Sequence, residues 1–314
     1  MYFTDFKTKM RSKMKKCMKF VLIGAILSIA LFSFSGCGND GPRIIQEGRA
    51  DGRIVENGDV VFIDFVGMID DVPFDGGTAP NFALDIGSGM FIPGFEEQIV
   101  GMREGEIRDI DITFPSNYHE PSLAGQATVF RITLNSIPTQ QSGSFILELY
   151  PHYAPLTVEN FVGLVEQGFY NGVVFHRIVD GFMAQGGCPD GTGGGGSGTH
   201  IVCETTDNGW TQNTLSHTRG VISMAHAGTN TGSSQFFIIF DEATFLDGRH
   251  TGFGRVVEGF ETVEQLQGVP RTWGGVGGME LSSPLRPVTI ISATTLEDSA
   301  DGNPRVQMEI SWYS

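Results

Sequence analysis

The sequence predicts two β-rich domains in tandem: a small antiparallel sheet with one short helix against it, then a closed β-barrel with few helices. Three observations carry this. The chain has 314 residues, the length of about two domains. It holds 43 glycines and is 40% hydrophobic and 18% charged, which favours turn-rich strands over a helical bundle and supplies enough apolar side chains for real cores. Several stretches alternate apolar and polar residues with the period of a strand.

The first segment reads as an address. Lys7 to Lys19 form a basic region, followed by the apolar run FVLIGAILSIALFSFSG and then Cys37. The run is short for a membrane-spanning helix, which needs ~20 residues, and the pattern is that of a signal peptide. Phe34-Ser35-Gly36-Cys37 resembles the lipobox of bacterial lipoproteins. That resemblance implies a signal peptide over 1–36, lipidation of Cys37, and an extracytoplasmic body anchored by lipid to a bacterial membrane. An uncleaved anchor helix with an incidental cysteine is the other reading. Residues 37–52 then carry the lipidated cysteine and a flexible tether rich in Gly, Asn, Asp and Arg.

Charge separates this segment from the body. Residues 1–36 hold seven basic residues and one acidic, leaving 13 basic against 35 acidic over 37–314, a net −22 beside −16 for the chain. Such an acidic body argues against nucleic acid and against electrostatic docking on anionic lipid. A monomer is the default expectation.

In the first domain, 53–138, Val60–Phe65 alternates as a strand and Asp70-Asp71 turns the chain before Val72. Phe95 and Ile99, four apart and stopped by Gly101, predict one short helix. Arg108, Ile110, Ile112 and Phe114 alternate with Asp109, Asp111 and Thr113, and Phe130, Ile132 and Leu134 share a third strand face. Aromatic residues on strands are usually core. The strings GDVVFIDFVGMIDDVPFDGG, IGSGMFIPGFEEQIVGMREGE, ITFPSNYHE and ATVFRITL, however, resemble the FKBP family, above all the FKBP domain of trigger factor. The resemblance covers 58–137. It implies an FKBP-like α+β antiparallel sheet and a proline-binding bowl of Phe65, Phe74, Asp75, Phe82, Phe91, Ile92, Phe95, Tyr118 and Phe130.

The linker Pro138–Ser142 is short, and the second domain covers 141–296. Phe145, Leu147 and Leu149 read as a strand. Thr157 as N-cap, Val158, Phe161, Val162 and Val165 at helical spacing, and Gly168 as stop predict a helix. Further strands are expected at Gln235–Phe240 and Val288–Ala293, and the tail 297–314 is open between a short strand and disorder. FYNGVVFHRIVDGFMAQGG, GVISMAHAGTNTGSSQFFIIF and FLDGRHTGFGRVVEGFETV, in that order, resemble cyclophilin along the whole domain. The resemblance implies a cyclophilin-like closed β-barrel with two helices and peptidyl-prolyl cis-trans isomerase activity. Arg177 is then the catalytic residue, accompanied by Phe182, Gln185 and His250. Met183, Ala225, His226, Ala227, Gln235, Phe237, Phe245 and Leu246 line the proline pocket and its groove.

The partners so implied are Xaa-Pro segments of unfolded or newly exported proteins, with the membrane reached through Cys37. A tethered module that binds proline segments without isomerising them is the competing reading. GTGGGGSG at 191–198 lacks the Lys-Ser/Thr of a phosphate-binding loop. Seven histidines stand without ligand spacing, so no metal and no cofactor is expected. Cys188 and Cys203 flank the glycine-rich stretch, where a disulfide and two free thiols are both open.

Overall fold

The computed structural model describes residues 42–275 and 278–314. Cys37 and the signal segment lie outside the described residues. Among the described residues no helix is long and apolar enough to cross a membrane. The chain forms two compact units that meet in sequence at Pro138 and Thr139.

The first unit is a five-stranded antiparallel sheet. Its strands are β1 (Arg43–Gln46), β2 (Val60–Ile69), β3 (Val72–Asp85), β4 (Ile107–Thr113) and β5 (Ala127–Ser136), in the order β1-β4-β5-β2-β3. Asp70 and Asp71 both take positive φ (50° and 63°) while Ile69 pairs directly with Val72. That two-residue turn has the backbone twist a hairpin needs. Val61, Ile63 and Phe65 of β2, Ile110 and Ile112 of β4, and Phe130, Ile132 and Leu134 of β5 bury one face. The helix α1 (Phe95–Ile99) covers that face with Phe95 and Ile99, both fully buried.

Part of the expected tether is structured. Arg43 begins a strand paired with β4, Arg43 Nη2 lies 3.6 Å from Asp109, and Arg49 donates to Glu104 at 2.7 Å. All four side chains of β1 are exposed, so no alternation announced it. Backbone pairing and these arginine contacts hold it in place.

The second unit is a closed antiparallel barrel. Its strands are β6 (Gln140–Leu149), β7 (Val174–Val179), β8 (Met183–Cys188), β9 (Val221–Met224), β10 (Phe236–Ile239) and β11 (Gly252–Glu258), closed by two further strands near the C-terminus. A separate hairpin, β12 (Arg271–Gly274) with β13 (Glu280–Pro284), precedes these last two, β14 (Thr289–Leu296) and β15 (Arg305–Tyr313). The barrel runs β10-β8-β7-β14-β15-β6-β11-β9, and β9 pairs back onto β10. The tail beyond Leu296 is therefore a strand, inserted between β14 and β6 with Val306, Met308, Ile310 and Trp312 buried.

Two helices accompany the barrel, α2 (Pro155–Glu166) and α3 (Phe260–Gln265). Thr157 is not the N-cap of α2. Ala154 holds that position without a capping side chain, and Pro155 opens the helix, where its missing N–H costs nothing. The cap comes from afar: buried Glu204 accepts the Leu156 and Thr157 N–H groups at 2.9 and 2.8 Å and the Thr157 hydroxyl at 2.7 Å. Val158, Phe161 and Val165 pack into the barrel core as their spacing predicts.

Candidate functional site

Strand alternation builds the second unit's site. On β10, Phe236 and Ile238 join the barrel core, while Phe237 and Ile239 face the other way. On β8, Ala184 points inward and Met183 outward; on β7, Ile178 points inward and Val179 outward. The outward residues Met183, Phe237 and Ile239, with Ala243, form a second apolar cluster flanked by Val179, Phe182, Ala225 and Leu246. This is a shelf of hydrocarbon on the outer face of β7, β8 and β10.

Arg177 stands opposite Gln185 in the β7–β8 register, and Gln185 stands opposite Phe237 in β8–β10. Arg177 Nη1 donates to Gln185 Oε1 at 3.3 Å and lies 4.0 Å from Met183 Sδ. Gln185 Nε2 donates to Gln235 Oε1 at 2.9 Å, and Gln235 Nε2 donates to the Gly193 and Gly195 carbonyls at 2.9 and 2.7 Å. The carbonyls at one end and the guanidinium at the other fix both amides' orientations, because each must present its oxygen toward Arg177. The glycine-rich stretch thus serves as an anchor for the row of amides.

His250 meets Phe237 edge-on at 5.4 Å and stacks on His226 at 4.2 Å. Its Nδ1 lies 3.2 Å from the Met224 carbonyl. Burial pushes its pKa down to about 4, helped by His226 and His217, so the ring is neutral at neutral pH. Phe182 and Phe245 rings lie 5.6 Å apart, with Phe245 exposed; Ala227 is exposed at the edge. Two clefts of about 330 and 300 Å³ lie elsewhere on this unit and share none of these residues.

Two features here had no signal in the sequence. Glu280 of β13 grips Arg177 with both oxygens, at 2.7 Å to Nε and 2.9 Å to Nη2. Arg177 is thus in an ion pair while facing the shelf. The second feature is a row of Ser223, His217 and Asp247: His217 Nδ1 lies 2.8 Å from Asp247 Oδ1 and Nε2 lies 2.9 Å from Ser223 Oγ. A carboxylate at Nδ1 places the proton there and leaves Nε2 to accept from the serine. The row has the composition of a nucleophilic triad, yet Ser223 and His217 are both fully buried, out of reach of any substrate. It is a brace: His217 lies beneath Phe237, ring to ring at 6.2 Å, and ties the 244–250 segment to β9.

No disulfide joins Cys188 and Cys203; both are buried free thiols. Each is committed to its own loop. Cys188 donates to Asp190 at 2.8 Å and accepts the Gly193 and Gly195 N–H groups at 3.2 Å, whereas Cys203 Sγ accepts the Asn230 N–H at 3.1 Å. The Cys188 thiol and Thr192 hold the Asp190 pKa down to about 2. No group of three or more potential metal ligands occurs among the described residues.

In the first unit, eight of the nine expected bowl residues belong to one cluster: Phe65, Phe95 and Phe130 buried within it, and Phe74, Phe82, Phe91, Ile92 and Tyr118 partly buried against it. The ninth, Asp75, is exposed on β3 outside the cluster. Phe65 touches Phe82, Phe91, Phe95 and Phe130 edge-on, with ring centroids 5.8 to 6.1 Å apart. Phe91 lies flat on Phe95 at 4.4 Å. Buried Glu96 fixes the loop bearing Phe91 by accepting the Gly87, Gly89 and Phe91 N–H groups at 2.9 to 3.2 Å.

Among the described residues, the one row with the composition of a nucleophilic triad is buried away from the apolar surface of the second unit. Both surfaces suit a compact apolar ring, and the second adds one fixed cation with a row of amides, the equipment of a noncovalent catalyst acting on a peptide. The family profile described as cyclophilin type peptidyl-prolyl cis-trans isomerase/CLD matches residues 133–295, slightly more than half of the chain, and that of FKBP-type peptidyl-prolyl cis-trans isomerase matches 52–149. The chain belongs to the cyclophilin-type peptidyl-prolyl cis-trans isomerases, and its first unit is an FKBP-type domain. Peptidyl-prolyl cis-trans isomerase B of Bacillus subtilis is 51% identical over 119 residues, 38% of this chain and 80% of that protein. A trigger factor of Exiguobacterium sibiricum is 57% identical over 93 residues, 30% of this chain and 21% of its own length, so the chain spans about a fifth of it. A solved cyclophilin type peptidyl-prolyl cis-trans isomerase of Cryptosporidium parvum shares 31% identity at a TM-score of 0.41, covering 48% of this chain and 96% of that one.

Proposed function

We propose that this peptidyl-prolyl cis-trans isomerase acts on exported proteins at the outer face of a bacterial membrane, held there by lipid on Cys37, with Arg177 as its main catalytic residue. The observation that carries the catalytic assignment is the placing of a guanidinium beside an apolar shelf through the Arg177–Gln185–Phe237 register. A prolyl bond resists rotation by ~18–20 kcal/mol because twisting destroys its conjugation. Twisting frees the nitrogen lone pair. A guanidinium aimed at that nitrogen then gains a hydrogen bond that the planar ground state lacks, which is selective binding of the transition state. Met183, Phe237, Leu246 and Ala225 hold the ring and exclude water, and neutral His250 adds apolar wall without a competing charge.

The bowl of the first unit is walled by aromatic rings, Phe65, Phe82, Phe91, Phe95 and Phe130 in mutual contact. It works by desolvation, since the twisted amide is less polar at C–N than the planar one. The Phe91 ring over Phe95 favours a second reading for this unit alone, in which it holds client segments more than it turns them over.

The test is a protease-coupled isomerisation assay on the full chain in detergent, beside Arg177→Ala. An acceleration of roughly 10⁵ corresponds to about 7 kcal/mol, and loss of Arg177 is expected to remove about two orders of magnitude of it. Wild-type activity in Arg177→Ala would remove the assignment. For the location, Cys37→Ser is expected to leave the membrane fraction and to lose incorporated fatty acid; unchanged fractionation would overturn the anchor.

A further inference from the structure

The partner of Arg177 comes from outside the barrel. Glu280 opens β13 in the separate β12–β13 hairpin, 103 residues away in sequence. The hairpin is fastened to the strand that carries Arg177: Arg271 of β12 donates to the Ile178 carbonyl of β7 at 3.3 Å and to the Gln267 carbonyl at 2.8 Å. At the turn, Gly275 has φ +67°, and a Cβ there would come within 3.0 Å of Glu280 Oε2. The carboxylate therefore lies against a position that glycine keeps open. The Arg177 fork holds the Glu280 carboxyl below its usual pKa, so it stays ionised through neutral pH.

An arginine on an outer strand face has a long flexible stem. Arg177 retains 31% side-chain exposure and Glu280 34%, so neither is fixed by burial. The bidentate fork fixes the plane of the guanidinium, which a single contact to Gln185 at 3.3 Å does not. The fork uses two of the five N–H donors, Gln185 a third and Met183 Sδ, at 4.0 Å, a weak fourth, so one stays free for a substrate and the weak one is readily released.

We propose that Glu280 is a positioning residue for isomerisation: the β12–β13 hairpin carries a carboxylate that sets the guanidinium of Arg177 before substrate arrives. This rests on the reading of Arg177 as the catalytic group. Orientation supplied in advance lowers the barrier without improving ground-state binding, so its loss appears in kcat and leaves KM in place. Aspartate at the same position can still reach the guanidinium, though with a shorter arm. Glutamine fills the same volume but offers one acceptor and no charge.

The experiment measures kcat and KM of the full chain in detergent for Glu280→Gln, Glu280→Ala and Glu280→Asp, with Arg177→Ala defining the activity floor that includes any contribution of the first unit. Activity above that floor is expected to fall about tenfold in kcat for Gln and Ala, with KM within about twofold and partial recovery in Asp. The Arg177 Nε–H resonance is expected to be shifted and slow to exchange in the parent and to be lost in Glu280→Gln, while the thermal midpoint holds. A kcat in Glu280→Gln equal to or above the parent's overturns the proposal, because the carboxylate would then be neutral or a lock on the catalytic group. A loss carried by KM alone overturns it as well. Full activity in Arg177→Ala would instead sink the underlying assignment, and is read separately.

Discussion

Single residues whose partners are distant in sequence carry much of this structure. Glu204 satisfies the first turn of α2 from 47 and 48 residues away. Glu204→Ala leaves two N–H groups and a hydroxyl without their acceptor in a buried place, and is expected to cost about 3 kcal/mol, read as a drop in the denaturant midpoint. Gly67 works by absence: a Cβ there would lie 2.5 Å from the Phe74 ring and 2.7 Å from Phe130. Gly67→Ala is expected to push both rings out of the bowl and destabilise the first unit by about 1–3 kcal/mol, visible in near-ultraviolet circular dichroism. The apolar residues that gather at both candidate sites were nameable from the sequence because family strings place them by local pattern. Glu280, Glu204 and the Ser223–His217–Asp247 row were not. Each is a polar side chain answering a group that only tertiary folding brings near, and a polar residue in a loop looks the same with or without such a partner.

At the scale of elements, alternation and turn chemistry made β2, β4, β5, β6 and β10 readable, and Asp70-Asp71 marked its hairpin. Several strands were not named from residue pattern alone, and β1 and β15 show why. β1 buries nothing and so has no pattern, and β15 hides behind the polar stretch 297–304. β15 nevertheless alternates cleanly, with Val306, Met308, Ile310 and Trp312 buried. It pairs along its length with both β14 and β6, so the barrel has two open edges without it. Ile310→Asp places a carboxylate in that closed core. The second unit is expected to lose its protease resistance, with cleavage sites appearing between 139 and 314, while the first unit stays resistant. Equal resistance of both units would show that β15 is dispensable.

On the scale of the whole molecule, proton linkage divides the two units. His176, His217 and His250 all have lowered pKa values, each chiefly through burial, and all three lie in the second unit. A buried neutral histidine takes up a proton more readily once unfolded. The unfolded chain therefore binds more protons between about pH 6.5 and pH 4, and stability rises with pH across that window. The contribution is complete above pH 6.5 and is lost as pH falls toward the folded value, about 4 for His250. Calorimetry of the full chain at pH 7.5 and pH 5 is expected to show the second unit's transition moving down while the first unit's holds. His250→Gln should shrink the shift, and an equal shift in both transitions would rule out this account. The place of β15 has a further consequence for the order of events in synthesis. The barrel's first strand, β6, takes β11 on one side but finds its neighbour on the other side only in residues 305–313, so the second unit cannot close until those residues have been synthesised. The first unit contains all of its own strands by Ser136 and is complete earlier. During that interval a folded FKBP-type bowl shares a chain with an unfinished barrel containing Pro151, Pro155, Pro189, Pro270, Pro284, Pro287 and Pro304.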